Sequence, residues 1–355
     1  MLDVVAHVWV KAIDWLSAHA VEPALDVLHL DTQLGAPDDL AEALLIAVVQ
    51  IAIIVCVLRP LESLAPAEKW ADRALTHVDR RFTLLLVAGL NPLFAFVALT
   101  PLAGLLAGAD AREATPFQGV LHWIPHIDEY PLLAFGIYYL VYDASYYWMH
   151  RAQHAIPWWW ALHSMHHSQR QVNCWTNERV SWLDVILQSL VLAAVGQFMG
   201  VDVAQFAMLE LVSQFMQELS HTNTRLGFGR FFERLFVDPR FHRLHHMRAD
   251  PSRPNLHNCN FGQLFSVWDN LFGTALYNEP VRPTGVGDPI VDADNNRGAI
   301  AMQWHTLRRF WATVTTRNGW KPQEISFDEN NRPVAVDSST PHAPPTSQRI
   351  PAPAP

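Results

Sequence analysis

A series of apolar stretches in the first 220 residues constrains this chain more than any other feature. They are Leu40–Leu58, Phe82–Ala107, Pro131–Met149, Val180–Val201 and Val203–Leu219. A bilayer core of about 30 Å takes roughly 20 apolar residues as a helix, so the first four are long enough to cross and the fifth is short and polar. Phe82–Ala107 is interrupted at Asn91-Pro92 and Pro101, which either kink one span or turn it into a re-entrant hairpin. Composition points the same way. Half of the 355 residues are hydrophobic and 17% are charged, against about 25% charged in soluble domains. The expectation is an all-α, multi-pass membrane helical bundle of about four to five spans. A soluble all-α protein with buried helices is the alternative it displaces.

Basic residues between the stretches orient them. Segment 59–81 holds Arg59, Lys69, Arg73, Arg80 and Arg81, whereas segment 108–129 holds only Arg112. Segment 150–179 holds Arg151, Arg170 and Arg179, the turn near Gly200 none, and segment 220–250 six arginines. Rich and poor loops alternate. The positive-inside rule then places 59–81, 150–179 and 220–330 in the cytoplasm, as in a bacterial inner-membrane protein with an outward N-terminus. The net charge of −9 excludes the basic footprint of a nucleic-acid binder. Cys56, Cys174 and Cys259 are too widely spaced for a disulfide scaffold or a cysteine zinc site.

The expected organisation has four parts. Residues 1–39 carry Val5, Val8, Trp9, Ala12, Ile13 and Leu16 at helical spacing, which suits either an interfacial amphipathic helix or a packing helix. They lack the basic n-region of a cleaved signal peptide. Residues 40–275 form the membrane-embedded domain, and 276–327 a cytoplasmic segment. Residues 328–355, rich in Pro, Ser and Thr, are expected to be disordered.

Three histidine clusters carry the chemistry: His150-Arg-Ala-Gln-His154, His163-Ser-Met-His166-His167 and His242-Arg-Leu-His245-His246. At this histidine frequency two chance copies of His-x-x-His-His are expected on the order of 0.001 times per chain. On a helix, positions i, i+3 and i+4 share a face, so each box is expected to aim its imidazoles at one point. Eight neutral nitrogens suit metal coordination. They are too many for one tetrahedral zinc and suit two ions of three to five ligands each. The spans feed the boxes: Asp143, Tyr147, His150 and His154 form one helical stripe, and Glu210, Gln214, Gln217 and His221 repeat its offsets. His221 reads either as a ninth ligand or as a helix-ending cap. Asp143 reads either as the acceptor that fixes a ligand's tautomer or as a packing Asp bonded to a Tyr hydroxyl. Glu218-x-x-His221 occurs once, whereas carboxylate di-iron bundles use that motif from two helices.

These motifs resemble the fatty acid hydroxylase/sterol desaturase superfamily of integral-membrane enzymes. The resemblance covers about residues 80–275. It rests on Asp143-x-x-x-Tyr147-Trp148-x-His150-Arg151-x-x-His154 and Trp160-x-x-His163-x-x-His166-His167-Ser168, followed by Asn173 and Arg179. It continues through His221-Thr-Asn223, Pro239-x-x-His242-Arg243-x-His245-His246, Asn260-Phe261-Gly262 and Trp268-Asp269-x-Leu271-Phe272-Gly273-Thr274. The resemblance implies that the boxed histidines ligate two iron ions, a di-iron centre. It also makes Asn173 and Asn260 candidates for support behind the ligands. It implies O2-dependent hydroxylation or desaturation of a lipid. One departure is Asn258, where many relatives carry Asp. No cytochrome b5-like haem segment is found near either end, so electrons are expected from an external donor of ferredoxin or cytochrome type with its reductase. The arginines of 225–248 either dock that donor or reflect the positive-inside bias.

Two other functions compete. A membrane zinc hydrolase would want a carboxylate base beside an open zinc, as in His-Glu-x-x-His, and no such string occurs. A metal transporter would place its ligands near the bilayer midplane, whereas these boxes stand at span ends.

Overall fold

A computed structural model of the chain describes residues 2–29, 36–94, 96–97, 119–200, 203–249, 258–316 and 325–335. In chain order the main helices are α1 (Leu2–Leu16), α2 (Glu22–Leu28), α3 (Pro37–Leu64), α4 (Thr76–Leu85) and α5 (Pro131–Ala155). They continue as α6 (Pro157–His167), α7 (Trp182–Met199), α8 (Val203–Ser220), α9 (Pro239–His245) and α10 (Ala299–Thr315). A two-stranded antiparallel hairpin, β1 (Ile325–Phe327) with β2 (Pro333–Ala335), follows them. The fold is thus helical almost throughout, as the sequence led one to expect.

Helices α3 and α7 are, among the described residues, the two long and apolar enough to cross a membrane, with mean hydropathies of 2.7 and 1.6. Only 17% and 22% of their most apolar windows is buried. A core helix of a soluble protein would be covered all round, but these expose Val48, Val55 and Val57 on one and Leu190, Val191 and Phe198 on the other. Helix α5 is 25 residues long and α8 is 18, yet neither meets the same apolarity. Asp143, His150, Gln153 and His154 occupy α5, and Gln214, Gln217 and Glu218 occupy α8. The start of Phe82–Ala107 is helical through Phe94, and residues 98–107 lie outside the described set, so the choice between kinked span and hairpin does too.

Prolines punctuate the part that positions the histidines. Pro157 forces Ile156 out of the helical region, to φ −95° and ψ 118°, because its ring crowds the preceding residue. The break folds α6 back against α5, and the first two boxes face each other. Pro239 opens α9 behind Asp238, whose carboxylate accepts from Phe241 N at 2.8 Å, a helix cap. An aromatic layer of Tyr138, Tyr139 and Tyr142 on α5 packs with Leu192 and Met199 of α7, Leu209 of α8, and Leu264. On its other side α6 buries Ala161 against Val286, Val291 and Phe327.

That last contact revises the expected tail. Phe327 is buried, and Asp328 Oδ1 turns the hairpin by accepting from Asn330 N and Arg332 N at 2.8 Å each. Residues 328–335 are therefore folded, because the hairpin has a buried aromatic anchor; residues 336–355 lie outside the described set. At the other end, α1 packs Ile13 and Leu16 onto the cluster of Val21, Leu25, Ala41 and Phe96 while leaving Val8 and Trp15 exposed. One face packs and the other is free, so both expected uses of this helix have a surface.

Candidate metal centre

The nine histidines singled out by spacing come together in two adjoining groups. His150, His154, His163, His167 and His245 form one; His166, His221, His242 and His246 form the other. Within each, the ligand atoms lie within 4.8 Å of one another. The rings of His167 and His246 stack across the boundary at 4.4 Å between centroids.

A His-x-x-His-His box does not aim at one point. Its first and fifth residues serve one group and its fourth serves the other: His163 and His167 against His166, His242 and His246 against His245. The reason is helical pitch. At 3.6 residues per turn the i+4 ring falls about 40° to one side of residue i and the i+3 ring about 60° to the other. One box therefore contributes to both groups, and two boxes facing each other interlock.

In the five-histidine group most outer nitrogens are tied back. His150 Nδ1 donates to Phe261 O at 2.9 Å, His245 Nδ1 to Cys259 O at 2.7 Å and His154 Nδ1 to Asn258 Oδ1 at 3.2 Å. His163 Nδ1 donates to Asp184 Oδ2 at 3.1 Å. With the proton held on Nδ1, each Nε2 presents a lone pair inward. The Nε2 atoms of His150, His163, His167 and His245 are buried without a hydrogen-bond partner among the described residues. Each such atom costs about 1–3 kcal/mol unless something satisfies it, and four lone pairs aimed at one space fit a cation.

The four-histidine group fits a cation by a second test. His221 Nδ1 donates to Gln217 O at 2.7 Å, so its Nε2 is a bare acceptor. The Nε2 atoms of His166, His242 and His246 stand 3.0, 3.0 and 3.1 Å from it. One lone pair cannot take three donors. Two nitrogens each about 2.1 Å from a shared ion at right angles would stand about 3.0 Å apart. Burial, and then repulsion among neighbouring imidazoles, lowers the pKa of His166, His167, His242, His245 and His246 well below the ordinary value. Burial holds His221 at about 4 despite its Gln217 bond. All six are therefore neutral near pH 7, the form that binds metal.

The supporting residues differ from those expected. Among the described residues Asp143 makes its hydrogen bonds to neither a box histidine nor a Tyr hydroxyl. Its carboxylate accepts from Leu264 N, Phe265 N and Trp268 Nε1 at 3.0, 3.1 and 2.8 Å, so it holds the loop that presents the Phe261 carbonyl. Asp269 completes that loop, accepting from Phe261 N and Gly262 N at 2.8 Å each. A Cβ on Gly262 would come within 2.6 Å of the Phe265 carbonyl, which explains glycine there. Asn260, at φ 59°, donates to Phe241 O at 2.8 Å and accepts from Leu276 N at 2.7 Å. It pins this loop to α9 through these backbone groups rather than through an imidazole. The departure at Asn258 leaves the position in use, with a neutral amide oxygen on His154.

Asn173 is also displaced from its expected place beside a ligand. It belongs to a buried hub around Asp79, which accepts from Gln169, Asn173 and Thr176 at 2.6, 3.1 and 2.8 Å and from Arg179 at 3.0 Å. Arg179 in turn donates to Met165 O and Ser168 Oγ at 3.1 and 2.8 Å, clamping the end of the helix that carries the second box. Asp184 is the residue that spacing missed. Besides His163 it accepts from Gln153 Nε2 at 2.9 Å and Trp159 Nε1 at 2.8 Å. The available signal was a carboxylate inside the apolar stretch Val180–Val201, since ionisable groups in such stretches mark functional paths. On the second polar stripe, Gln217 Oε1 accepts from Tyr146 OH at 3.2 Å; the side chain of Glu210 lies outside the described set.

Residues 135–274 match the family described as fatty acid hydroxylase. The chain is 28% identical over 293 residues to an ornithine lipid hydroxylase, OlsE, of Rhizobium tropici, covering 79% of this chain and 81% of the relative. It is 29% identical over 183 residues to human alkylglycerol monooxygenase, covering 51% of this chain and only 38% of the relative. A Delta(7)-sterol 5(6)-desaturase of Gibberella zeae matches at 28% over 153 residues, 42% of this chain and 45% of that protein. No solved structure matches.

Proposed function

We propose, for a chain whose place in the fatty acid hydroxylase/sterol desaturase superfamily these matches support, a membrane oxygenase that hydroxylates or desaturates a lipid. It uses two iron ions, O2 and electrons from a separate redox partner. The observation that carries this reading is the pair of nitrogen-only groups, nine histidines with converging inner nitrogens. Imidazole suits iron, and neither group contains the carboxylate that a zinc hydrolase needs as its base. His150, His154, His163, His167 and His245 would hold one ion, and His166, His221, His242 and His246 the other. Bound iron supplies the activation of O2 that lets hydrogen be taken from an unactivated C–H bond.

The protein's share of the work is placement. Burial keeps His166, His167, His221, His242, His245 and His246 neutral, Asp184 and the 258–261 loop set the tautomers of four rings in the five-histidine group, and the surrounding apolar packing keeps bulk water from the reaction. Hydroxylation of one C–H bond consumes one O2, two electrons and two protons and releases one water. Desaturation consumes the same reactants, removes two hydrogens from the lipid and releases two waters. No flavin, haem or nicotinamide motif is found in the sequence, so a ferredoxin- or cytochrome-type donor with its reductase supplies the electrons. Of the relatives named, the one matched over most of both chains acts on ornithine lipid, which makes that acyl lipid the first substrate to test.

The decisive experiment is isotopic. Purified protein with iron, a reductase system and membrane lipid should place one 18O from 18O2 in the lipid or remove two hydrogens from it. Label entering from water instead, or full turnover without oxygen when zinc is bound, would establish the hydrolase in its place.

The exposed apolar flanks of α3 and α7 support insertion in a membrane, and the basic loops support a multi-pass arrangement with the boxes in the cytoplasm. Reporters inserted near Arg112 and fused at the C-terminus should report opposite sides of the membrane. Matching sides would overturn the five-span count.

A further inference from the structure

We infer that the two ion positions hold metal unequally: the five-histidine position grips its ion, and the four-histidine position releases its ion readily. This rests on the two-ion reading above. It goes beyond that reading by ranking the sites from the hydrogen bonds behind their ligands.

Ligation through Nε2 leaves a proton on Nδ1. An acceptor for that proton fixes the ring and makes it a better donor to metal; losing one such partner typically weakens metal binding about 10–100-fold. In the five-histidine group four rings have the acceptor. One of the four acceptors is a carboxylate, Asp184, which is fully buried and itself held by Gln153 and Trp159. Three acceptors come from one short segment, Asn258–Phe261, braced by Asp143, Asp269 and Asn260. The rings of this group therefore lock together.

The four-histidine group is built differently. Only His221 is tied back, and to a neutral carbonyl. The Nδ1 atoms of His166, His242 and His246 are buried without a partner. Among the described residues these three rings are directed by packing alone and no anion stands behind them, and the group has one ring fewer. All three differences weaken the grip on the same ion.

The test is metal release from the full chain in detergent, loaded without oxygen with Fe(II), or with Co(II) as a probe that needs no reductant. Excess chelator is added, and bound metal is counted by mass spectrometry over time. Two one-equivalent phases are expected, with rates at least ~10-fold apart. Asp184→Asn, which keeps the size and removes the charge, should speed the slow phase about 10–100-fold and leave the fast phase alone. Asp184→Glu should restore part of the difference, which a purely structural role would not produce. Release of both equivalents in one phase would overturn the inference, as would Asp184→Asn acting only on the fast phase. The parent protein's own release curve tests it even if the variants fail to fold. A chain that never holds more than one equivalent would refute the two-ion reading itself, an outcome distinct from two ions that leave together.

Discussion

Purified His245→Ala and His166→Ala proteins are expected to lose bound metal and all lipid oxidation while still inserting in the membrane. The two residues belong to different groups, so each variant should lose its own ion first. Each substitution deletes a ligand, and the loss of affinity should exceed the roughly 10–100-fold that removal of an outer partner costs. Insertion should survive because both residues stand outside the apolar stretches. His122→Ala is the control: His122 lies apart from both groups and faces Asp128 at 3.2 Å, and its loss should leave the metal content unchanged. Metal analysis after gel filtration reads the result. Full retention in both box variants would refute the ligand assignment.

Arg179→Met should destabilise the fold by about 3–5 kcal/mol, the usual consequence of leaving one charge of a buried pair without its partner. Asp79 and Arg179 are 0% and 1% exposed and stand 3.0 Å apart. The pair also ties three elements together. Asp79 lies on α4, Arg179 follows the second box, and Arg179 donates to Asn295 Oδ1 at 3.2 Å ahead of α10. Arg179→Lys should restore little, because one ammonium cannot serve the four acceptors that the guanidinium fork reaches. Unfolding in detergent by heat or denaturant measures the change; a profile matching the parent would show that the hub carries no stability.

How much of this was legible beforehand differs from residue to residue. Eight of the nine clustered histidines were named from box spacing and His221 from its helical stripe, because side chains that converge from one helix must recur at helical offsets, and that recurrence is visible in one dimension. The helical class was legible from the apolar stretches for the same reason. The assignment of supporting residues was not. Asn173 and Asn260 are expected beside the box histidines from their motifs, and Asp143 either there or bonded to a Tyr hydroxyl; each braces a segment one step removed. Asp184 lies 21 residues from its histidine and Asp79 100 from its arginine. No periodicity connects such pairs.

Chemical identity was set by the sequence alone: which residues bear nitrogen, at which spacing, between which apolar runs. The tertiary structure decided the partition. It alone split each His-x-x-His-His box between two groups, because the rings at i+3 and i+4 diverge around the helix and residues of opposing segments complete each set. It alone gave the five-histidine group its anchors, because those come from carbonyls and a carboxylate that the fold of 258–261 and α7 brings behind the rings. Spacing along a helix is a local property, whereas the acceptor behind an imidazole depends on which distant segment packs there.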